Sequence, residues 1–282
     1  MSGTDREHAA AVDRAFTRQA AAFEDPRLNR IFTTDSEWLF ERLEVGASDL
    51  VLDVAAGTGH VARSLAGRAR TVVALDATAA MLETGRERAL AAGLDNLVWL
   101  CGDAAALPFL DGSFDVVVSR HALHHFVDPR VQLAEIVRCT RRGGRVAIGD
   151  LVADPDPATA AIQDRLERLR DPSHARLLTP VELTDALVAA GVEPETLELE
   201  ARDLERPLEP WLEQTGTDGR VAEAIRSELR AELHGNGPPT GFRPRERDGS
   251  LWFIHALASA IGRVSSAACR PSPRTATSPM RR

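Results

Sequence analysis

The chain has no lysine and no tyrosine among its 282 residues. Two familiar catalytic bases are therefore missing, and arginine carries all the fixed positive charge. Cysteine is scarce: Cys101, Cys139 and Cys269 lie far apart with no C-x-x-C pair. That spacing argues against a disulfide framework or a cysteine metal site, and favours a reducing compartment. No apolar run approaches the roughly 18 residues of a membrane span. The opening residues are charged and lack an apolar core, so no secretory signal is expected. Net charge is −8, which disfavours bulk attraction to nucleic acid or to an anionic membrane. These absences together predict a cytoplasmic protein, a monomer or homodimer, with no nucleic-acid partner and no membrane insertion.

With 44% hydrophobic residues, the chain can bury a core without staples. Between residues 50 and 150, short β-branched apolar runs alternate with helical patterns. The runs are 50–54, 71–76, 96–101, 114–119 and 145–150, and the helical stretches are 60–68, 79–92 and 130–140. Short continuous apolar runs suit strands buried on both faces of a parallel sheet. The alternation predicts a doubly wound α/β sheet with crossover helices. Helical patterns over 6–23 and 36–43 precede it. Beyond Asp150 the spacing predicts helices over 155–170, 180–190 and 219–233. An edge strand is expected at 196–201, and a last strand at 251–261 whose length leaves a helix open. The stretch 165–170 (RLERLR) reads as a solvated helix face with Leu166 and Leu169 turned inward. The four tryptophans read as core. Residues 263–282 are rich in arginine, proline and serine without an acid, and read as a disordered tail.

The stretch VLDVAAGTGHVA, residues 51–62, runs from a strand through a glycine turn into a helix. From Gly57 it fits G-x-G-x-x-[GA], the dinucleotide fingerprint. Asp76 lies about twenty residues on, where a ribose-binding acid belongs. Asp53 points elsewhere. A carboxylate at the strand end repels a pyrophosphate in a poorly screened pocket and attracts a cation. S-adenosylmethionine has no phosphate and carries a sulfonium and an ammonium. Asp53 can also cap the following helix, as can Thr58.

D-V-A-A-G-T-G at 53–59 resembles motif I of the class I S-adenosylmethionine-dependent methyltransferases. Ala55 stands at the first glycine of the usual pattern, a variant similar to the ubiquinone/menaquinone-biosynthesis (UbiE/COQ5-like) branch. The resemblance continues in order through VVALDATAAML (72–82), CGDAAALPF (101–109), SFDVVVSRHALHHF (113–126) and RRGGRVAIGD (141–150). It implies a Rossmann-like fold with a seven-stranded, mostly parallel sheet whose last strand is antiparallel. Added N-terminal and pre-strand-6 helices complete it. The implied domains are lid helices at 1–45 and a methyltransferase domain at 46–262, with an acceptor-pocket insertion at 150–195. The implied cofactor is S-adenosyl-L-methionine. Its implied binding residues are Asp53, Ala55, Gly57, Thr58, Gly59, Asp76, Ala77, Met81, Gly102, Asp103, Ala104, Ser119 and Arg120. Within that set, Asp76 would take the ribose hydroxyls and Met81 would pack on adenine. Asp103 and the Ala104 N–H would read the adenine edge. The segment 15–23 resembles a leading helix that covers the cofactor.

His121, His124 and His125 cluster after the fourth strand, at the edge where open α/β sheets bind ligands. His121 and His125 are the candidate bases, since a neutral imidazole can take a proton from an attacking group. No acid or cysteine completes a metal site there. His174, in the insertion, either shapes the acceptor pocket or lies in a solvated loop. The expected reaction is methyl transfer to a small-molecule acceptor, quinone-like, aromatic or from secondary metabolism, at O, N or C. Two alternatives stay open: a methyltransferase fold that uses its cofactor as a scaffold for another reaction such as cyclisation, and an NAD-dependent dehydrogenase.

Overall fold

The computed structural model describes residues 3–25, 27–28 and 37–266. The expected disordered tail is corrected at its start, since Arg263 ends the last strand and Val264 is buried and bridged to Val192; from residue 267 it falls outside the described residues, as does residue 36 of the second expected helix. Helix α1 (Gly3–Gln19) leads into one 3-10 turn at Ala20–Ala22, and α2 (Glu37–Arg42) precedes the sheet. The doubly wound unit then follows: β1 (Leu50–Val54), α3 (His60–Ala66), β2 (Thr71–Asp76), α4 (Ala79–Ala91), β3 (Leu97–Cys101), β4 (Phe114–Arg120), α5 (Pro129–Cys139) and β5 (Thr140–Leu151). The remainder is α6 (Pro157–Arg170), α7 (Pro180–Ala190), β6 (Glu198–Pro207), α8 (Leu208–Gln214), α9 (Gly219–Leu233), β7 (Arg245–Arg247) and β8 (Ser250–Arg263).

The sheet runs β3-β2-β1-β4-β5-β8-β6. Pairings from β3 to β5 are parallel, and β8 is antiparallel to both β5 and β6. Among the described residues the sheet has eight strands, the three-residue β7 folding back on β8 beside the expected seven. The 251–261 stretch is strand, and α8 is a helix that its seven-residue length hid. Alternation along β1 shows why the sheet needs cover on both faces. Leu52 and Val54 join Leu133, Ile136, Leu183 and Leu187 on one side. Val51 joins Leu39, Leu43, Val61 and Leu65 on the other.

The helix starts are written locally. Asp128 and Asp156 accept from the first turns of α5 and α6, each with proline following. Thr179 and Glu182 form a reciprocal capping box on α7, satisfying backbone donors that a helix start leaves free. Beside the long antiparallel β6–β8 pair lies a third core, in which Leu166 meets Trp211, Ile225, Phe242 and Phe253. Here the reading of 165–170 is corrected. Leu169 is exposed, whereas Glu167 and Arg170 are buried. The reason is distant in sequence: Glu167 accepts from His255 Nε2 at 2.9 Å and pairs with Arg170 at 3.3 Å.

Candidate active site

The glycine turn places two carboxylates at the C-terminal ends of β1 and β2. Asp53 is 1% exposed, and its Oδ2 accepts the Ala62 N–H at 3.0 Å. It thereby satisfies a free donor in the first turn of α3, and Thr58 does not cap that helix. Burial, with the charge of Asp76 adding, pushes the Asp53 carboxyl up to about 7. Asp76 accepts N–H donors from Gly57 at 2.7 Å and Thr78 at 2.8 Å. Burial raises its pKa too, despite those bonds.

Ala55 sits at φ 55°, a left-handed conformation that costs an L-residue roughly 1 kcal/mol or more. Ala55→Gly is expected to raise unfolding stability by up to about 1 kcal/mol, the strain relief less the entropy glycine adds to the unfolded chain. Urea titration checks it, and a destabilised variant would show that the strain is absent. Gly57 (φ 56°) also needs its freedom. Gly59 serves packing: a Cβ there would lie 2.5 Å from the Trp99 ring.

Helix α1 and its 3-10 turn close over this turn through Glu24. Glu24 accepts from the Thr58 hydroxyl, binds Arg63 Nη2 at 2.7 Å, and pairs with Arg88 at 2.6 Å. Burial pushes the Glu24 carboxyl up, but those hydrogen bonds and charges outweigh it and hold it low. At the other end of α1, His8 Nε2 donates to the His125 carbonyl at 2.8 Å.

The three histidines have separate fates. His121 is buried in a left-handed conformation, φ 54°, with its N–H on the Gly149 carbonyl at 2.7 Å. Burial, then the Arg120 charge, holds its pKa well below the ordinary value. His124 Nδ1 lies 2.6 Å from Asp150. Burial opposes its charge, but Asp150 prevails and raises its pKa. His125 Nδ1 donates to the Ser173 carbonyl at 3.0 Å, with the Ser173 hydroxyl at 3.1 Å. That hydroxyl donates in turn to Asp171 at 2.5 Å. Burial and then the neighbouring His124 charge push His125 down to about 3. Both candidate bases are therefore neutral at working pH. Nδ1–H donation leaves His125 Nε2 as the acceptor.

A cavity of about 600 Å³ gathers most of the expected residues. Asp53, Ala55, Gly57, Thr58, Asp76, Ala77, Gly102, Asp103, Ala104, Arg120, His121 and His125 all line it. Gly59, Met81 and Ser119 do not. Met81 is fully buried against Ala20, Phe23 and Phe16, so its apolar surface packs against the N-terminal segment and does not line the cavity. Ser119 is wholly buried with a hydroxyl that finds no partner among the described residues. His174 lines neither wall nor loop surface: it is buried, 2.9 Å from Asp164. Sequence reasoning missed Val12, Phe16, Phe126, Val127 and Val131, which give the cavity its apolar side. Their signal was the apolar face of α1 and the HHFVDPRV run. No group of metal-ligating side chains occurs among the described residues, and no described helix is long and apolar enough to cross a membrane.

The donor set fits a cationic nucleoside. Asp53 is a buried and Asp76 a half-buried carboxylate, both held above their ordinary pKa in one cavity, and a bound cation relieves them where a pyrophosphate would not. Comparison with known proteins agrees. Residues 52–148 match the methyltransferase domain family. The uncharacterized methyltransferase YcgJ of Bacillus subtilis is 34% identical over 163 residues, covering 57% of this chain and 63% of YcgJ. Its crystal structure superposes with a TM-score of 0.74 at 27% identity, over 81% of this chain and 97% of that one. The ubiquinone/menaquinone biosynthesis C-methyltransferase UbiE of Dinoroseobacter shibae is 40% identical over 131 residues, 45% of this chain and 51% of UbiE. The uncharacterized YafE of Escherichia coli is 32% identical over 155 residues, 55% of this chain and 74% of YafE. In the sequence match the chain thus spans less than two thirds of YcgJ and about half of UbiE. The chain belongs to the class I S-adenosylmethionine-dependent methyltransferases. Within them it falls in the UbiE-like branch, and S-adenosyl-L-methionine is the cofactor that family uses. The dehydrogenase alternative is set aside on the same findings.

Proposed function

We propose that the protein transfers the methyl group of S-adenosylmethionine to a small, largely apolar acceptor in the cytoplasm. The observation that carries this reading is one cavity with the carboxylates of Asp53 and Asp76 at the glycine turn and Val12, Phe16, Phe126 and Val131 on its apolar side. The cofactor, when bound, supplies a sulfonium-activated methyl electrophile. Asp76 holds ribose hydroxyls, since a carboxylate accepts several hydrogen bonds. Asp103 and the Ala104 N–H read the adenine edge, and Ala77, Gly102, Thr58 and Arg120 complete the wall. Asp53 receives positive charge. Residues 1–45 act as the lid, and 150–195 shape the acceptor side and orient His125 through Ser173. His121 or His125, both neutral, accepts a proton from a hydroxyl or amine acceptor. The chain's main contribution is alignment, which converts a two-body encounter into an oriented one.

Incubation with methyl-labelled donor and a small-molecule extract tests this. A labelled, solvent-extractable product should form. Asp76→Ala should abolish it and weaken S-adenosylhomocysteine binding at least tenfold, about 1.4 kcal/mol by calorimetry. Unchanged binding would place the cofactor elsewhere, and product formed without label would favour the scaffold reaction.

A further inference from the structure

Behind His121 and His125 lies a second, smaller chamber of about 30 Å³. It shares Phe16, His121 and His125 with the large cavity. Its other walls include Arg170, Arg206, Trp211 and Gln214. Arg206 is 9% exposed. Its two contacts are long and neutral: His255 Nδ1 at 3.3 Å and Gln214 Oε1 at 3.5 Å. Among the described residues no carboxylate oxygen lies within 4.0 Å of it. The nearby Glu167 is already held by His255 and Arg170. Asp171, the one acid on the chamber wall, is taken by Ser173 and lies 3.7 Å from Arg170. Two further donors, Arg170 Nε and Trp211 Nε1, are buried without an acceptor among the described residues.

A buried guanidinium without a counterion is costly, and so is each unmade buried hydrogen bond. Three such donors around one small space are an anion site in waiting. At roughly 10–15 Å³ per water-sized atom, the chamber has room for about two oxygens. That matches a planar carboxylate, which guanidinium grips with two parallel bonds, and is too small for a tetrahedral phosphate.

We propose that this chamber anchors a carboxylate of the methyl acceptor through Arg206, Arg170 and Trp211, with the acceptor's apolar body passing His121 and His125 into the large cavity. The proposal rests on the methyltransferase reading and names the acceptor class: an apolar or aromatic carboxylic acid.

Benzoate and its neutral isostere benzamide are the probes, titrated by calorimetry and thermal melting with and without S-adenosylhomocysteine. Benzoate should bind and raise the melting temperature, and benzamide should bind at least tenfold more weakly. Arg206→Met should lose the benzoate response tenfold or more while keeping S-adenosylhomocysteine affinity. It should fold, because it removes an unpaired buried charge. Trp211→Phe keeps the ring and removes one donor, so it should weaken benzoate severalfold and serves if Arg206→Met does not fold. Equal binding of benzoate and benzamide, or benzoate binding untouched by both variants, overturns the chamber assignment. Loss of S-adenosylhomocysteine binding in the wild type would instead overturn the methyltransferase reading, since that titration is read independently of the acids.

Discussion

Asp53→Asn should make the ligand-free protein more stable at pH 8 while stripping most of its affinity for S-adenosylmethionine. The folded carboxyl titrates at about 7 against an ordinary 3.8. Between those values the folded chain holds a proton that the unfolded chain has released. Stability therefore declines as pH rises from about 4 to about 7 and is flat beyond. The gap of about three pH units sets an upper bound of about 4 kcal/mol at pH 8. Asparagine keeps an oxygen for the Ala62 N–H and does not titrate. The variant should melt roughly 5–15 °C higher at pH 8 and equal the wild type near pH 4. Cofactor affinity has the opposite sign. In the wild type it should climb as pH rises through 7 and the carboxylate ionises. In the variant it should be flat and at least tenfold weaker, about 1.4 kcal/mol. Melting curves at three pH values and calorimetric titrations check both halves. A variant that loses stability at pH 8, or keeps wild-type affinity, would show that Asp53 is a structural cap and no more.

The attraction of Asp53 for a cation was legible in the sequence because its signals are local, while its cost to stability came only with its burial. Strand, acid and glycines lie within residues 51–59, and hydrophobic period placed the sheet around them. What escaped was contact between distant positions. Glu167 and Arg170 read as solvated because the partner of Glu167, His255, lies 88 residues on, and Arg170 packs over Trp211, 41 residues on. His125 is oriented by Ser173, 48 residues away, and nothing in HALHHF announces a carbonyl that will fix its tautomer. Met81 was placed by family resemblance, and its packing came from afar: Phe16 of α1 and Phe23 beyond it lie against it. Ala55 shows a middle case. Its identity was read as a departure from glycine, while its left-handed backbone became evident only in the fold.

Asp150→Ala should be the most damaging single change outside the cofactor wall. Asp150 is 3% exposed and accepts three hydrogen bonds: the N–H groups of Leu151 at 2.7 Å and His124 at 3.1 Å, and His124 Nδ1 at 2.6 Å. Burial pushes its carboxyl up, but the charge and hydrogen bond of His124 outweigh that and hold it below its ordinary value. Removing it orphans two buried backbone donors and leaves His124 without its counterion. Breaking a buried pair in this way costs about 3–5 kcal/mol, a large part of a typical domain's stability, and roughly 6–20 °C in melting temperature. The pH dependence identifies the cause. His124 has a raised folded pKa, so its share is complete below its ordinary 6.5 and fades as pH rises through the raised value. Asp150 has a lowered one, so its share is complete above 3.8 and fades as pH falls through the folded value. The deficit of the variant should be greatest between about pH 4 and 6.5 and narrower at pH 9. Asp150→Asn, which keeps an acceptor, should lose less. A deficit identical at pH 5 and pH 9 would assign the loss to the backbone donors alone. The charge of His124 also helps to depress His125. Nuclear magnetic resonance titration of the Asp150→Asn variant should therefore find His125 titrating above the wild-type value of about 3, because the ion pair that stiffens this wall also keeps the cavity-facing imidazole neutral.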